Sequence, residues 1–382
     1  MKPVPTAFAE QRLQQIEQAR ETVMQEGRSL TDTLVDAWFE RSWIERSWRR
    51  CLAQGQRPEQ HVAFDVIPAE AMRRTREASH SLVQAAKPVL DRLGRAIAST
   101  RYFAILTDAE GTVIDVGGPV DHSDRRAQAI ARIGVDLSER SIGTSAISAA
   151  LTELRPVWLH RGEHFFADTA VYSCAGAPLF GPDGHCVGML DLTGIEAAER
   201  PELQHLVMQS ARSIENALTL SRPHSLLVRL NWPGHLLGDE ADGLVCLNAD
   251  GWVTGANQMA RQMIAQLVAG TAPLHCSELF AAPHELLFDT ARRHGGGAPP
   301  PLELPLWSGL RLQALPLRPG QAAPLPRTPP PATADSLPLK DVEIALIRKA
   351  VDDARGNVMK AARALGISRA TVYRKLGRQP PR

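Results

Sequence analysis

The 382-residue sequence has no apolar run of the roughly 18 residues that a membrane span requires, so no membrane partner is expected. Its opening, MKPVPTAFAEQRLQQIEQAR, lacks the apolar stretch of a secretory signal, and the expected location is the cytoplasm. The five cysteines (Cys51, Cys174, Cys186, Cys246 and Cys276) are scattered, odd in number and without a C-x-x-C pair. That argues against a disulfide framework and for a reducing compartment. Lysine is scarce: there are six, and none follows a glycine, so G-x-x-x-x-G-K-[ST] is absent. Without that loop there is neither a backbone cradle nor a lysine for a triphosphate. No cofactor and no metal are expected, and no catalytic residue is assigned.

What is present is unevenly distributed. The net charge is +1, yet Arg355 to Arg382 holds eight bases and no acid, leaving −7 on the rest. A basic end on an acidic body is the asymmetry of a nucleic-acid-binding terminus. In LKDVEIALIRKAVDDARG the apolar residues recur at helical spacing, and Gly356 stands where a helix stops. Asn357 can cap a second helix whose buried side carries Val358, Ala361, Ala362 and Leu365. Gly366 turns the chain, and Ser368 caps a third helix in which Val372 and Leu376 face back onto the second. Arg369, Thr371, Tyr373, Arg374 and Lys375 are left for the outer face and its flanks. Small residues where helices cross, one glycine between them and bases on the last helix predict a helix-turn-helix.

Upstream, twelve of the 28 prolines fall between Gly295 and Pro338, and RPGQAAPLPRTPPPATADSLP has no periodicity, as befits a spacer. LELPLWSG and LRLQALPL alternate like closing strands. YFAILTDAEGTVIDVGG reads as strand, turn, strand. A helix is predicted from near Thr144 to Glu153, a strand at RPVWL, and a hairpin in YSCAGAPLFGPDGHCVGMLDLTG. A long helix is predicted from Glu196 to Ser221. The fold class expected is α+β, with a small all-α C-terminal domain.

These stretches carry resemblances. Nearly the whole C-terminal segment resembles the DNA-binding domain of the Fis family. This implies a homodimer, with Leu339 to Ala354 in the dimerising helix and Ser368, Arg369, Thr371, Arg374 and Lys375 against double-stranded DNA. GVDLSERSIGTSAISAAL, GEHF and the YSCAG hairpin resemble the GAF sensor domain of the acetoin catabolism regulator group of NtrC-type, sigma-54-dependent activators. SWRRCLAQGQRPEQ is similar to the segment that precedes it there. GLVCLNADGWVTGANQMARQMI resembles the opening of a PAS domain. The implied organisation is an N-terminal helical region (1–75), a GAF-like sensor (76–222), a PAS-like domain (236–318), a proline-rich linker (319–336) and the helix-turn-helix (337–382). Those activators place an ATPase between sensor and DNA reader; this chain has no room for one there.

Several constellations have two readings. HRGEH fits an inverted zincin pattern, but Gly162 and the strand-like RPVWL argue against a helix bearing both histidines. Cys174 near His164 and Asp168 can be read as a thiol nucleophile or, more ordinarily, as a small buried hydrophobe. Trp158, Phe165, Phe166 and Tyr172 either line an effector cavity together with His164 and Cys174 or fill the core. Trp38, Trp43 and Trp48 are assigned to packing. The leading expectation is a non-enzymatic transcription regulator whose sensor takes a small-molecule effector. RNA polymerase or a full-length paralogue is a further partner, the alternative being an accessory protein that modulates such a paralogue.

Overall fold

The computed structural model describes residues 7–25, 42–270, 273–293, 300–320, 351, 358–364 and 371–372. The chain divides into two compact units, Met1–Leu325 and Pro326–Arg382. The first unit contains two antiparallel five-stranded sheets with helices, an α+β architecture.

The first sheet has the order β2-β1-β5-β4-β3. Its strands are β1 (Tyr102–Asp108), β2 (Val113–Gly117), β3 (Val157–His160), β4 (Tyr172–Phe180) and β5 (Cys186–Ile195). Both faces are covered, which is why β1, β3 and most of β4 and β5 are buried along their length rather than alternating. One face receives α4 (His80–Ala96) and α8 (Leu203–Leu220). Leu82, Ala86, Val89, Leu90 and Leu93 form one apolar stripe, and Leu203, Val207, Ala211, Ile214 and Leu218 the other, each at helical spacing. α3 (Ala69–Ala78) leads into α4 and buries no residue.

The opposite face receives α1 (Ala7–Arg20) with its π-helical extension Glu21–Gln25, α2 (Ser42–Ala53), α5 (Arg125–Ile130), α6 (Glu139–Ile142) and α7 (Ala146–Glu153). Trp43 and Trp48 are buried in this core, as packing predicts, while Trp38 lies outside the described residues. The N-terminal helices are therefore part of the first domain's core. α7 lies close on the sheet because Gly176 lacks a side chain: a Cβ there would stand 3.0 Å from the Ala146 carbonyl oxygen and 2.7 Å from the Met189 methyl.

The second sheet has the order β8-β7-β6-β10-β9. It comprises β6 (Leu226–Asn231), β7 (Gly243–Leu247), β8 (Val253–Ala256), β9 (Leu302–Pro305) and β10 (Arg311–Leu317), with α9 (Gln258–Met263), α10 (Cys276–Leu279) and α11 (His284–Arg293). Two boundaries differ from expectation. The second sheet begins at Leu226 rather than 236, because the apolar LLVRLN supplies its central strand. The helix expected from Glu196 starts at Leu203: β5 runs to Ile195, and Pro201, which cannot donate a helical hydrogen bond, lies in the turn between.

The two sheets are fastened together. The β4–β5 turn, Gly181 to Gly184, reaches the second domain, where the Pro182 carbonyl accepts from Ala256 N at 2.9 Å and from Arg261 Nη2 at 2.7 Å. Gly184 holds φ +87°, a backbone conformation that favours glycine, and a Cβ there would lie 2.8 Å from the Arg261 guanidinium carbon, so any other residue would also displace that side chain. From α8, Asn216 Oδ1 accepts from Asn257 Nδ2 at 2.7 Å, and Asn216 Nδ2 donates to the Glu240 carbonyl at 3.0 Å. Asn257 also caps α9 by accepting from Ala260 N, accepts from Leu244 N and donates to the Asp242 carbonyl.

In the second unit α12 (Val358–Ala364) is described, with Ala362 and Val372 buried at positions the sequence assigns to the interior.

Candidate functional site

Strand register places the polar groups of the first sheet. On the face toward α7, Ile195 sits opposite Tyr172. The next row is Phe103–Thr193–Cys174–Leu159, and the one after it Ile105–Asp191–Gly176–Val157. An apolar sheet face thus carries an aligned polar pair at its centre, Thr193 and Asp191, each at most 1% exposed. A cleft of about 270 Å³ opens at the edge of this face. Phe103, Ile195, Val120 and Ala127 line its apolar part, and Arg101, Asp121 and Asp124 its polar part.

The hydrogen bonds on this face have a direction. Thr193 donates its hydroxyl proton to Asp191 Oδ2. The Cys174 sulfur lies 3.5 Å from the same hydroxyl, within hydrogen-bond reach for a thiol. Asp191 Oδ1 has no partner. Burial pushes the Asp191 carboxyl up to about 7, the Thr193 bond opposing the rise. Burial also pushes the Cys174 thiol well above its usual range, which keeps it an S–H and not the thiolate a nucleophile needs.

The GEHF stretch closes the same side. Arg20 donates to the carbonyls of Gly162 (2.8 Å), His164 and Phe165 (2.9 Å) and lies 5.7 Å over the Trp48 ring. Arg12 pairs with the buried Glu163 at 3.1 Å, and Trp48 Nε1 donates to the Glu163 carbonyl. His164 is 1% exposed. Its Nδ1 lies 2.9 Å from the Arg161 carbonyl, its Nε2 has no partner, and burial draws the ring down to about 4.

Of the six residues singled out for an effector, Phe165, Phe166, Tyr172 and Cys174 share one core. The His164 ring stands 6.5 Å from that of Tyr172. Trp158 does not join them: strand alternation turns it to the opposite face, against the α4–α8 core. Thr193 and Asp191 were missed. In GMLDLTG they stand in phase with Met189 and Ile195 while Leu190 and Leu192 face the other way, which is the period-2 signal of a polar pair on a buried face. The His160 and His164 of HRGEH lie on a strand end and beyond a 3₁₀ turn, not on one helix, and no metal-binding cluster occurs among the described residues. A larger groove of about 640 Å³ runs beside the β1–β2 and β4–β5 turns. It is lined by side chains of both charges and lies away from the polar pair.

For the other candidate surface, Thr371 is in a described helical turn and half-buried. Ser368, Arg369, Tyr373, Arg374 and Lys375 lie outside the described residues, as does Leu339 to Ala354 except Val351.

Comparison with known proteins adds the following. The chain is similar to the acetoin catabolism regulatory protein of Cupriavidus necator, 29% identical over 229 residues, covering 58% of this chain and 34% of that protein. It is similar to the propane 2-monooxygenase operon transcriptional activator MimR of Mycolicibacterium smegmatis, 30% identical over 140 residues, covering 36% and 24%. The chain spans about a third of the length of the first of these curated relatives and about a quarter of the second. Among solved structures, an E. coli DhaR(N)–DhaL complex aligns with a TM-score of 0.43 at 15% identity, over 72% of this chain and 99% of that one. Residues 338–378 match the model described as bacterial regulatory protein, Fis family. Residues 15–216, more than half of the sequence, match the model described as MimR, N-terminal domain, and the chain belongs to that family.

Proposed function

We propose that the protein is a sequence-specific, DNA-binding transcription regulator whose first sheet domain, GAF-like in plan, senses a small molecule and controls a catabolic operon. The observation that carries this reading is the joining of a MimR N-terminal region to a Fis-type segment in one chain. The names of two relatives, an acetoin catabolism regulatory protein and a propane 2-monooxygenase operon transcriptional activator, point the same way. The second sheet domain is PAS-like, its Asn257 capping the helix that follows a strand–turn–strand. Effector binding on the polar face of the first sheet alters β4 and β5, and the fastening of their turn to Arg261 passes the change onward. Two Fis-type segments in a homodimer read the operator. No ATP is hydrolysed, since the sequence has no phosphate loop.

Footprinting with the purified chain on the DNA upstream of its own gene, with and without candidate metabolites, tests the reading. A protected, metabolite-sensitive site is expected. Uniform binding to any DNA, unmoved by every metabolite, would overturn it.

A further inference from the structure

Arg261, on α9, fastens the two sheets, yet the two carbonyls it holds do not use up what its side chain offers. A guanidinium carries five N–H donors and a fixed positive charge. Nη1 donates to the Leu267 carbonyl at 2.9 Å and Nη2 to the Pro182 carbonyl at 2.7 Å. Both acceptors are neutral. Nε is buried without a partner, and no carboxylate forms an ion pair with this side chain among the described residues. Asp183, exposed on the β4–β5 turn, attracts the guanidinium without pairing with it, and burial outweighs that attraction, drawing the group below its ordinary pKa. A half-buried cation held by neutral groups alone lacks a counter-ion.

The same side chain lines a cleft of about 220 Å³ between the β4–β5 turn and the second sheet. The walls are apolar at Pro182, Val253 and Leu267 and polar at Asp183, Thr254 and Arg261. The guanidinium is fixed in place there. Carbonyls from two segments hold its ends, and Gly184 backs it closely, a Cβ at that position lying 2.9 Å from Nε and Nη1. A cation positioned in advance loses little entropy on binding, and its planar fork matches a carboxylate.

We propose that this cleft is a second ligand site, separate from the polar face of the first sheet, and that it takes a small monocarboxylate. The oxygens accept from guanidinium N–H groups that the two carbonyls leave over, and the short apolar body lies along Val253 and Leu267. One cation beside an exposed acid suits a single negative charge better than the dianion of inorganic phosphate. Amines are repelled by the same cation. The carboxylate adds to the bonds of Arg261 without displacing Pro182, so its binding tightens the joint between the sheets.

Calorimetric titration of the full chain with acetate, propionate and butyrate tests this, alongside inorganic phosphate and the amides and amines of the same skeletons. A carboxylate should bind, and the other compounds should bind at least about ten-fold more weakly, as loss of a charge-assisted hydrogen bond implies. Arg261→Gln should weaken the carboxylate at least about ten-fold, on the same scale. That variant also loses a fastening, so Asp183→Asn supplies a readout that leaves Arg261 in place and keeps the acceptor for His185 N. Removing the exposed acid should tighten carboxylate binding about two-fold or more. Hydrogen exchange with and without saturating carboxylate locates the site, protection being expected to rise in 181–187 and 258–268. Protection confined to the strands of the first sheet overturns the location. Equal binding of amides and carboxylates, or a preference for phosphate, overturns the ligand class. Unchanged carboxylate affinity in both variants overturns the role of Arg261, and if none of the compounds binds the proposal fails. The sensor reading stands or falls separately, on the metabolite-sensitive footprint.

Discussion

Asp191 and His164 make opposite contributions to how stability varies with pH. The unfolded Asp191 carboxyl releases its proton near 3.8 and the folded one near 7, so between these values the folded state holds the extra proton and stability falls as pH rises. His164 is drawn down from 6.5 to about 4; there the unfolded state holds the extra proton, and stability falls as pH drops. Asp191→Asn removes only the first contribution. The difference in unfolding free energy between parent and variant should therefore move against the parent by on the order of 3–4 kcal/mol from pH 4 to pH 7, at 1.36 kcal/mol per unit. Denaturant titrations at four or five pH values measure it, and a flat difference would show that the carboxyl is not held neutral. A second prediction follows from the sequence of the DNA-binding segment. Arg369→Ala should lose about 1–3 kcal/mol of discrimination between operator and random DNA, whereas Lys375→Ala should weaken both alike and reduce the salt slope by about one. Competition binding at several salt concentrations separates the two. Single residues were legible where a motif carried them. The GEHF stretch and Cys174 stood out because rare residue types cluster there, but Thr193 and Asp191 are ordinary letters in a strand and become a site only through register with Phe103 and Cys174.

At the scale of elements, the least conventional is α1. It buries Ile16 and Ala19, and its attachment to the GEHF stretch runs through Arg12 and Arg20. Charge-assisted bonds of this kind contribute about 1.5–3 kcal/mol each when buried. Arg20→Ala should accordingly raise amide hydrogen exchange through Ala7–Arg20 at least about ten-fold, by local opening, while leaving β1, β4 and β5 protected. Exchange followed by mass spectrometry reads this directly, and equal protection in parent and variant would mean that packing alone seats the helix. Strands and turns of the first sheet were readable from the sequence because Asp-Ala-Glu-Gly and Gly-Pro-Asp-Gly mark the hairpins chemically. β6 was not, because LLVRLN is a short apolar run whose partner β10 follows far along the chain, and no local signal announces that pairing. Trp158 parts from the other aromatics for a related reason: the two-residue period of β3 sends it to the other face, where it fills the core, one of the two readings its sequence allowed.

At the scale of the molecule, the two sheets of the first unit should unfold together. Asn257 is buried with four hydrogen bonds, one of them to α8, and Asn257→Ala strands their partners. A cost of about 2–4 kcal/mol is expected, with one calorimetric transition in the parent becoming two in the variant. The absence of a phosphate loop predicts that reconstituted sigma-54 polymerase, DNA and this chain alone form no ATP-dependent open complexes; their formation would require an ATPase the sequence does not show. The order of strands in the second sheet has a consequence for synthesis. β6 lies between β7 and β10, yet roughly eighty residues separate it from β10 in the chain. While a ribosome is still adding β9, β6 has one neighbour in place and presents its other edge, Leu-Leu-Val-Arg-Leu-Asn, bare. Such an edge pairs readily with another nascent chain. Damage to β10 would therefore first appear as loss of soluble protein during translation, before any effect on a finished molecule could be measured.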